Sequence, residues 1–397
     1  MSGARIVRLA NFVGPRSGGI RTALREWGSG YLRAGHRPVL VVPGPRYSDT
    51  ETAQGRVITV PGPRVPFAGG YRLLIRPDRL RRLLDGLEPD RLEVSDRSTL
   101  RWTGRWARRA GVPSVMVSHE RLDALLRPRA LADRLNAATL SSFDQVVCTT
   151  RWAAAEFRRL GGEPAMVPLG VDLTTFHPDR YSAPLRDALA RPGELLVVQC
   201  TRLSPEKRPH RGIEAVRELR ARGIPAVGVL AGDGAIRRRL ERRAEGLPVR
   251  FLGFVGAREA VAALLATADV VVAPGPVETF GLAALEALAS GTPVVAAADG
   301  ALPEVVGGAG VIVRGEAYAD GVLAAHTVPR EESRRRAEMF GWPASVAGML
   351  AVHGVAPGQA GAPDPAAGAA GAAGAAGAAG AAGAAVVAAD AGRVAAS

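Results

Sequence analysis

Lysine is almost absent from this chain of 397 residues: Lys207 stands alone among 51 Lys and Arg. Cysteine is scarce as well, with only Cys148 and Cys200. Both lie in or at the end of apolar, strand-like runs. We therefore expect two buried thiols, no disulfide framework, and a reducing, cytosolic compartment. No window of eighteen or more strongly apolar residues occurs, so no transmembrane helix is expected. The first residues, MSGARIVRLANFVG, lack an apolar h-region and a small-residue cleavage site, so no secretory signal is expected either. No D-x-D triplet is present, which argues against a carboxylate-held Mg or Mn site of that kind. No Cys/His spacing suits zinc. No G-x-x-x-x-G-K-[ST] occurs, which argues against a P-loop ATPase, and the strict G-x-G-x-x-G is missing too.

What is present is the composition of a soluble globular protein, 47% hydrophobic and 22% charged, long enough for two domains with full cores. The net charge of +13 is one-sided. Residues 1–180 hold 29 Arg against 17 Asp and Glu, whereas residues 181–397 hold 22 Lys and Arg against 21. A basic face suggests an anionic partner such as a lipid headgroup layer or an acidic substrate. A general preference for arginine would give the same count. Against that preference, the lysine in TRLSPEKRPH hints at a site that wants a compact ammonium rather than a planar fork. Chance survival of one lysine is the alternative.

Apolar runs alternate with helical segments, and the alternation runs twice. In the first half the strands are expected at Ile6–Leu9, Val39–Val42, Val57–Val60, Leu92–Val94, Ser114–Ser118 and Gln145–Cys148, with helices such as Ile20–Ala34 and Leu100–Ala110. In the second half they are expected at Leu195–Cys200, Ala226–Ala231, Val249–Leu252, Asp269–Ala273, Pro293–Ala297 and Gly310–Val313. Helices there span Gly212–Arg222, Ala235–Glu245, Arg258–Ala266 and Phe280–Ser290. Such spacing implies an α/β protein: parallel sheets with helices on both faces, hence two Rossmann-like domains. Ligands are expected at the carboxyl ends of the strands, in a cleft between the domains. We place the first domain at 1–175, a turn-rich linker at Gly170–Pro192, the second domain at 190–335, and a returning helical stretch at 336–355. Beyond it the chain is almost entirely Ala, Gly and Pro, with Gly at every third position from Gly368 to Gly383. Without imino acids that period does not support a collagen helix, so disorder is expected over 356–397.

The chemistry concentrates in VVAPGPVETFGLAALEALASGTPVV, Val271 to Val295. Thr279 reads as an N-cap that leaves the N–H groups of Phe280, Gly281, Leu282 and Ala283 without intrahelical partners. Those donors and the helix dipole form an anion site, which Gly281 lets a ligand approach. Glu278 in the loop can hold sugar hydroxyls. Glu286, on an otherwise apolar helix, is expected to be buried and to take ribose hydroxyls, unless an arginine or the helix edge accommodates it. Arg202 and Lys207 follow a strand and can neutralise a leaving diphosphate, unless they are a salt bridge with Glu206 or a solvated loop. Gly18 and Gly19, in VGPRSGGI, can cradle phosphate or simply form a tight turn. His119 leaves the run Ser114–Ser118 on the side where ligands bind, although a lone His is often structural. Val255, after another strand, can meet a nucleotide base through its backbone. In RWTGRWARR, residues 101–109, the i,i+4 Arg and Trp pairs suit either an anionic membrane surface or tryptophans packed inward.

Taken together, Gly18–Gly19, His119, Arg202 with Lys207, and Glu278-x7-Glu286 in ETFGLAALEALASGTPVVA resemble glycosyltransferase family 4 over roughly residues 3–350. The resemblance implies a GT-B fold and transfer of a sugar from a nucleotide diphosphate sugar with retention of configuration. The donor is a substrate; no metal or resident cofactor is implied, and no nucleic acid. By that resemblance, Glu278 holds the donor sugar and Glu286 the ribose. Arg202, Lys207, Gly19 and the Phe280–Ala283 amides bind the diphosphate, and His119 contacts the sugar near its anomeric carbon. EVSDRSTLRWTGRWARRAGVP and SHERLDALL further resemble bacterial mannosyltransferases that act on lipid acceptors with GDP-mannose. That implies a cytoplasmic enzyme with a lipid-linked or glycan acceptor, peripheral on the inner membrane face. The chain departs from the family where the usual Lys-Gly is Lys207-Arg208, and where Gly310 to Trp342 is short enough to imply a trimmed C-terminal helix. A UDP-sugar donor, a sugar-nucleotide epimerase and a non-catalytic sugar-nucleotide-binding protein are the competing readings.

Overall fold

Two parallel sheets, each flanked by helices, form separate units of the computed structural model, which describes residues 3–13, 18–65 and 71–356. The expected disordered tail and part of the VGPRSGGI loop lie outside the described residues.

The first sheet comprises β1 (Arg5–Leu9), β2 (Arg37–Gly44), β3 (Ser48–Thr52), β4 (Gly55–Pro61), β5 (Arg91–Val94), β6 (Ser114–Ser118), β7 (Gln145–Cys148) and β8 (Ala165–Met166). Its order is β3-β4-β2-β1-β5-β6-β7-β8, parallel except for the antiparallel β3–β4 hairpin. The β3 strand, SDTET, is exposed throughout and has no apolar run to announce it. The central strands β1 and β5 are almost wholly buried, and their Val7, Leu9, Leu92 and Val94 join one core with Val39, Val41, Met116 and Val146.

The second sheet comprises β9 (Leu195–Cys200), β10 (Ala226–Ala231), β11 (Val249–Gly253), β12 (Val270–Ala273), β13 (Val294–Ala297) and β14 (Gly310–Val313). All neighbours are parallel, in the order β11-β10-β9-β12-β13-β14. That is the doubly wound order, with the strand sequence reversing between β9 and β12. Continuous apolar runs such as VVVA and VVAA form these strands because both faces are covered by helices.

The chain leaves the first unit at Gly170, builds the second from Val171 to Gly341, and rejoins the first at Trp342. Residues 171–192, expected as a linker, belong to the second unit and include the helix Ala183–Leu189. Val171 N donates to Phe340 O (2.9 Å), so the strand entering this unit and the segment leaving it lie side by side. The returning stretch, expected to start at 336, therefore divides. The helix Arg330–Glu338 stays in the second unit, where Arg334 Nη1 donates to Ala289 O (2.8 Å). The helix Trp342–Val352 belongs to the first unit, where Ser345 Oγ accepts from the indole of the buried Trp27 (3.0 Å).

Candidate active site

The reversal point of the second sheet, between β9 and β12, brings two of that unit's candidate residues into contact. After β9 the chain runs through Thr201 to a single 3-10 turn at Pro205–Lys207. After β12 it runs through Pro274 to Glu278. These two carboxyl-terminal loops meet: Lys207 Nζ donates to Glu278 Oε1 at 2.6 Å, and both side chains are about a quarter exposed. Glu206 is not the lysine's partner, because it accepts from Ser204 Oγ (2.5 Å). Arg202 is exposed and its side chain makes no ion pair among the described residues. The lone lysine and the loop acid are thus brought together across 71 residues of sequence.

The helix after Glu278 starts later than expected. It spans Leu282–Ala289, and its N-cap is Gly281 rather than Thr279. Gly281 has φ 91°, a left-handed conformation that disfavours any side chain, and a Cβ there would lie 2.3 Å from Leu302 Cδ2. The glycine is therefore needed for the turn itself, besides any ligand approach. Leu282 and Ala283 form the first turn, whose N–H groups have no carbonyl one turn back. Phe280 precedes the helix and is buried edge-on against Phe340, with ring centroids 5.9 Å apart. The loop is fixed from the other side, since Ala301 N donates to Glu278 O (2.9 Å).

Glu286 is only half-buried, contrary to the expectation of full burial. An eight-residue helix on the sheet leaves one narrow strip open, and Glu286 occupies it while Leu285, Ala287 and Leu288 go inside. Its charge reaches the end of β9: burial pushes the Cys200 thiol up to about 12, and Glu286 adds to that rise. Cys200 itself is half-buried, whereas Cys148 is buried as expected and its thiol is likewise held up at about 12. Val255 sits half-buried in the loop after β11.

In the first unit the strand order reverses between β1 and β5. Gly18 is the N-cap of the helix Gly19–Arg33, both glycines are exposed, and a Cβ on Gly18 would meet nothing within 4 Å. His119 follows β6 and is half-buried, with Nε2 3.3 Å from Ser95 Oγ and its ring tilted against Trp27. Burial lowers the imidazole to about 4; Arg8 and Arg97 also push it down, while Glu93 opposes them. His119 is therefore neutral near neutral pH.

Beneath it lies a buried network that sequence reasoning passed over. Arg8 Nε donates to Glu93 Oε1 (2.9 Å), and Tyr31 OH donates to Glu93 Oε2 (2.8 Å). His353 Nε2 lies 3.2 Å from that same oxygen. Desolvation would raise the Glu93 carboxyl, but Arg8 and His353 together hold it down at about 2. Asn11 and Asp96, which leave β1 and β5, are also buried and hydrogen-bonded (2.8 Å). The rule that selects His119, a polar residue leaving an apolar strand, also selects Asn11, Ser95 and Asp96. Nothing local announces Glu93 or His353.

The backbone resembles solved glycosyltransferase structures. It matches a sucrose-phosphate synthase from Thermosynechococcus elongatus with a TM-score of 0.70 at 22% identity, covering 88% of this chain and 98% of that one. It matches Anabaena HepE in complex with UDP and glucose with a TM-score of 0.70 at 20% identity and the same coverage. The fold is thus GT-B. The family model described as "Glycosyl transferase 4-like domain" matches residues 18–170, and "Glycosyl transferases group 1" matches 184–337. A GDP-mannose-dependent alpha-(1-6)-phosphatidylinositol dimannoside mannosyltransferase of Mycobacterium tuberculosis is 50% identical, over 88% of this chain and 96% of its own length. A GDP-mannose-dependent alpha-mannosyltransferase of the same organism is 28% identical over 75% of this chain and 79% of its length. The chain belongs to glycosyltransferase family 4, in its mannosyltransferase-like branch.

Proposed function

We propose that this enzyme transfers a mannosyl residue from GDP-mannose to a lipid-linked acceptor with retention of configuration. The observation that carries the reading is the Lys207–Glu278 pair at the reversal point of the second sheet, beside a helix start. The choice of mannose, guanine and a lipid rests on the 50% identical mycobacterial relative.

In this reading Lys207 and Arg202 bind the diphosphate, helped by the N–H groups of Phe280 to Ala283. Glu278 accepts hydrogen bonds from sugar hydroxyls, Glu286 from the ribose, and the Val255 backbone meets the base. On the N-terminal unit, Gly18 and Gly19 are assigned to phosphate. His119 is assigned to the donor sugar beside the anomeric carbon, where its neutral ring exchanges hydrogen bonds without adding charge. The acceptor hydroxyl oxygen bonds to the anomeric carbon on the face from which the phosphate oxygen departs. The departing diphosphate keeps the bonding electron pair and takes the acceptor proton. Cations and oriented amides then stabilise the charge that develops on it. The basic N-terminal half suits contact with an anionic membrane surface. Among the described residues no helix is long and apolar enough to cross a membrane.

The test is transfer by Lys207→Ala and Glu278→Gln enzymes, beside thermal shifts with GDP- and UDP-sugars. Removing a group that stabilises developing charge costs on the order of a hundredfold to a thousandfold in rate. Near-native rates in both variants would reject the site. A larger thermal shift with a UDP-sugar than with GDP-mannose would reject the donor.

A further inference from the structure

Glu93, Asp96 and Glu156, near the carboxyl ends of β5 and β6, are well supplied with hydrogen bonds; Glu120 is not. Glu93 takes the partners described above. Asp96 accepts from Asn11 Nδ2 (2.8 Å) and Thr99 Oγ1 (2.6 Å) on one oxygen, and from Ser98 N (2.8 Å) on the other. Glu156, buried on the helix Arg151–Arg158, accepts from Asn136 Nδ2 (2.8 Å) and Asp123 N (3.2 Å), and Arg97 Nη2 lies 2.7 Å from its other oxygen. Among the described residues the Glu120 carboxylate accepts no hydrogen bond, and its ion pair with Arg97 Nε is loose at 3.8 Å. The side chain is 37% exposed, so most of it is out of water.

The position of Glu120 is nonetheless fixed. It follows His119 in the loop that leaves β6. Its carbonyl accepts from Ser118 Oγ (2.9 Å) and from Arg97 Nη2. Arg97 is buried and held in turn by Asn136 Oδ1 (2.8 Å) and by Glu156. The backbone is therefore anchored from the interior, while the carboxylate stays open towards solvent.

An ionised carboxyl offers about four lone-pair sites, and covering it without donors is unfavourable. Burial pushes the Glu120 carboxyl up from its ordinary value; Arg97 opposes the rise, and Asp96 and Glu156 add to it. What the carboxylate lacks is hydrogen-bond donors. Hydroxyl groups supply them without charge. A cationic ligand fits less well, because Arg97 already lies against this carboxylate and would repel a second positive group. Two oxygens on one planar group match two hydroxyls on adjacent carbons of a ring.

We propose that Glu120 binds the acceptor, its carboxylate oxygens accepting hydrogen bonds from neighbouring hydroxyls of the acceptor's polyol ring beside His119. The inference deepens the reading above and rests on it for the existence of a glycan-bearing acceptor. Glu120 moves no proton in this role, and the departing diphosphate remains the group that takes it. A ring with adjacent hydroxyls is thereby selected over a simple alcohol.

The experiment uses the full chain, GDP-mannose, and phosphatidylinositol mannoside in detergent micelles, with E120Q and E120A beside the parent. KM is read separately for acceptor and donor, and the thermal shift by GDP-mannose is measured on the same samples. E120A is expected to raise the acceptor KM by about tenfold to a hundredfold, the worth of hydrogen bonds to a charged group. E120Q, which keeps one accepting oxygen, is expected to raise it less. The donor KM and the GDP-mannose shift are expected to stay as in the parent. A second measurement needs no variant: carbodiimide coupling of glycine ethyl ester to the parent, read by mass spectrometry. Glu120 is expected to label, and the acceptor, but not GDP-mannose, to protect it. An unchanged acceptor KM in both variants would overturn the proposal. So would a loss of kcat at unchanged acceptor KM, a joint rise of donor and acceptor KM, or labelling that the acceptor does not prevent. Each of these leaves the acceptor reading standing. A parent that shifts with GDP-mannose yet transfers nothing would overturn that reading, and this proposal with it.

Discussion

Lys207 is the one position where a chain rich in arginine keeps an ammonium, and its partner shows why the difference matters. A single Nζ at 2.6 Å from Glu278 Oε1 leaves the other carboxylate oxygen open, whereas a guanidinium would tend to take both. Lys207→Arg is therefore expected to lower kcat/KM by about tenfold to a hundredfold, the worth of one charge-assisted hydrogen bond, in steady-state transfer assays. His119 makes a different prediction. Its folded pKa of about 4 lies below the ordinary 6.5, so the unfolded chain binds more protons between these values. Stability then rises with pH in that window and is lost as pH falls from 6.5 towards 4. Thermal melts of His119→Asn across pH 4–7 are expected to show a flatter dependence than the parent.

At the scale of elements, the segment between β9 and the next helix stores strain. Arg208 has φ 46°, the left-handed region that costs a non-glycine residue about 1–2 kcal/mol. The family resemblance expects glycine there. Arg208→Gly is therefore expected to stabilise the protein, by about 0.5–1 kcal/mol once the entropy of the added glycine is subtracted. A denaturant titration checks this, and an unchanged or lower midpoint would reject it. Gly281 is the converse case: with φ 91° and Leu302 against it, Gly281→Ala is expected to destabilise and to displace the helix start at Leu282. The strand pattern was legible because buried parallel strands are continuous apolar runs. Five strands, among them β6, β7 and β9, have the bounds expected from sequence alone. The helix start was not legible at that resolution, since Thr279 is a good cap by type and only the backbone turn at Gly281 decides the matter.

Across the whole molecule, the return of the chain at Trp342 makes the N-terminal unit depend on residues from the far end of the sequence. Glu93 and Arg8 are almost wholly buried, and His353 closes their network across 260 residues. Breaking such a pair by removing one partner costs about 3–5 kcal/mol, because a buried charge is left uncompensated. Glu93→Gln is expected to lose that much in chemical unfolding, with donor binding still detectable by GDP thermal shift in the folded fraction. A loss under 1 kcal/mol would show that Arg8 finds another partner.

The sequence by itself determined the α/β class and the buried strands, and it nominated the donor-side candidates. These follow from local period, from residue type at strand ends, and from the oddity of one lysine. Tertiary structure alone decided that Lys207 meets Glu278, that Glu286 lies at an open edge, and that Arg8, Tyr31 and His353 converge on Glu93. Contacts of this kind join residues dozens to hundreds of positions apart, and no local pattern encodes the distance between two side chains that only the folded sheet brings together.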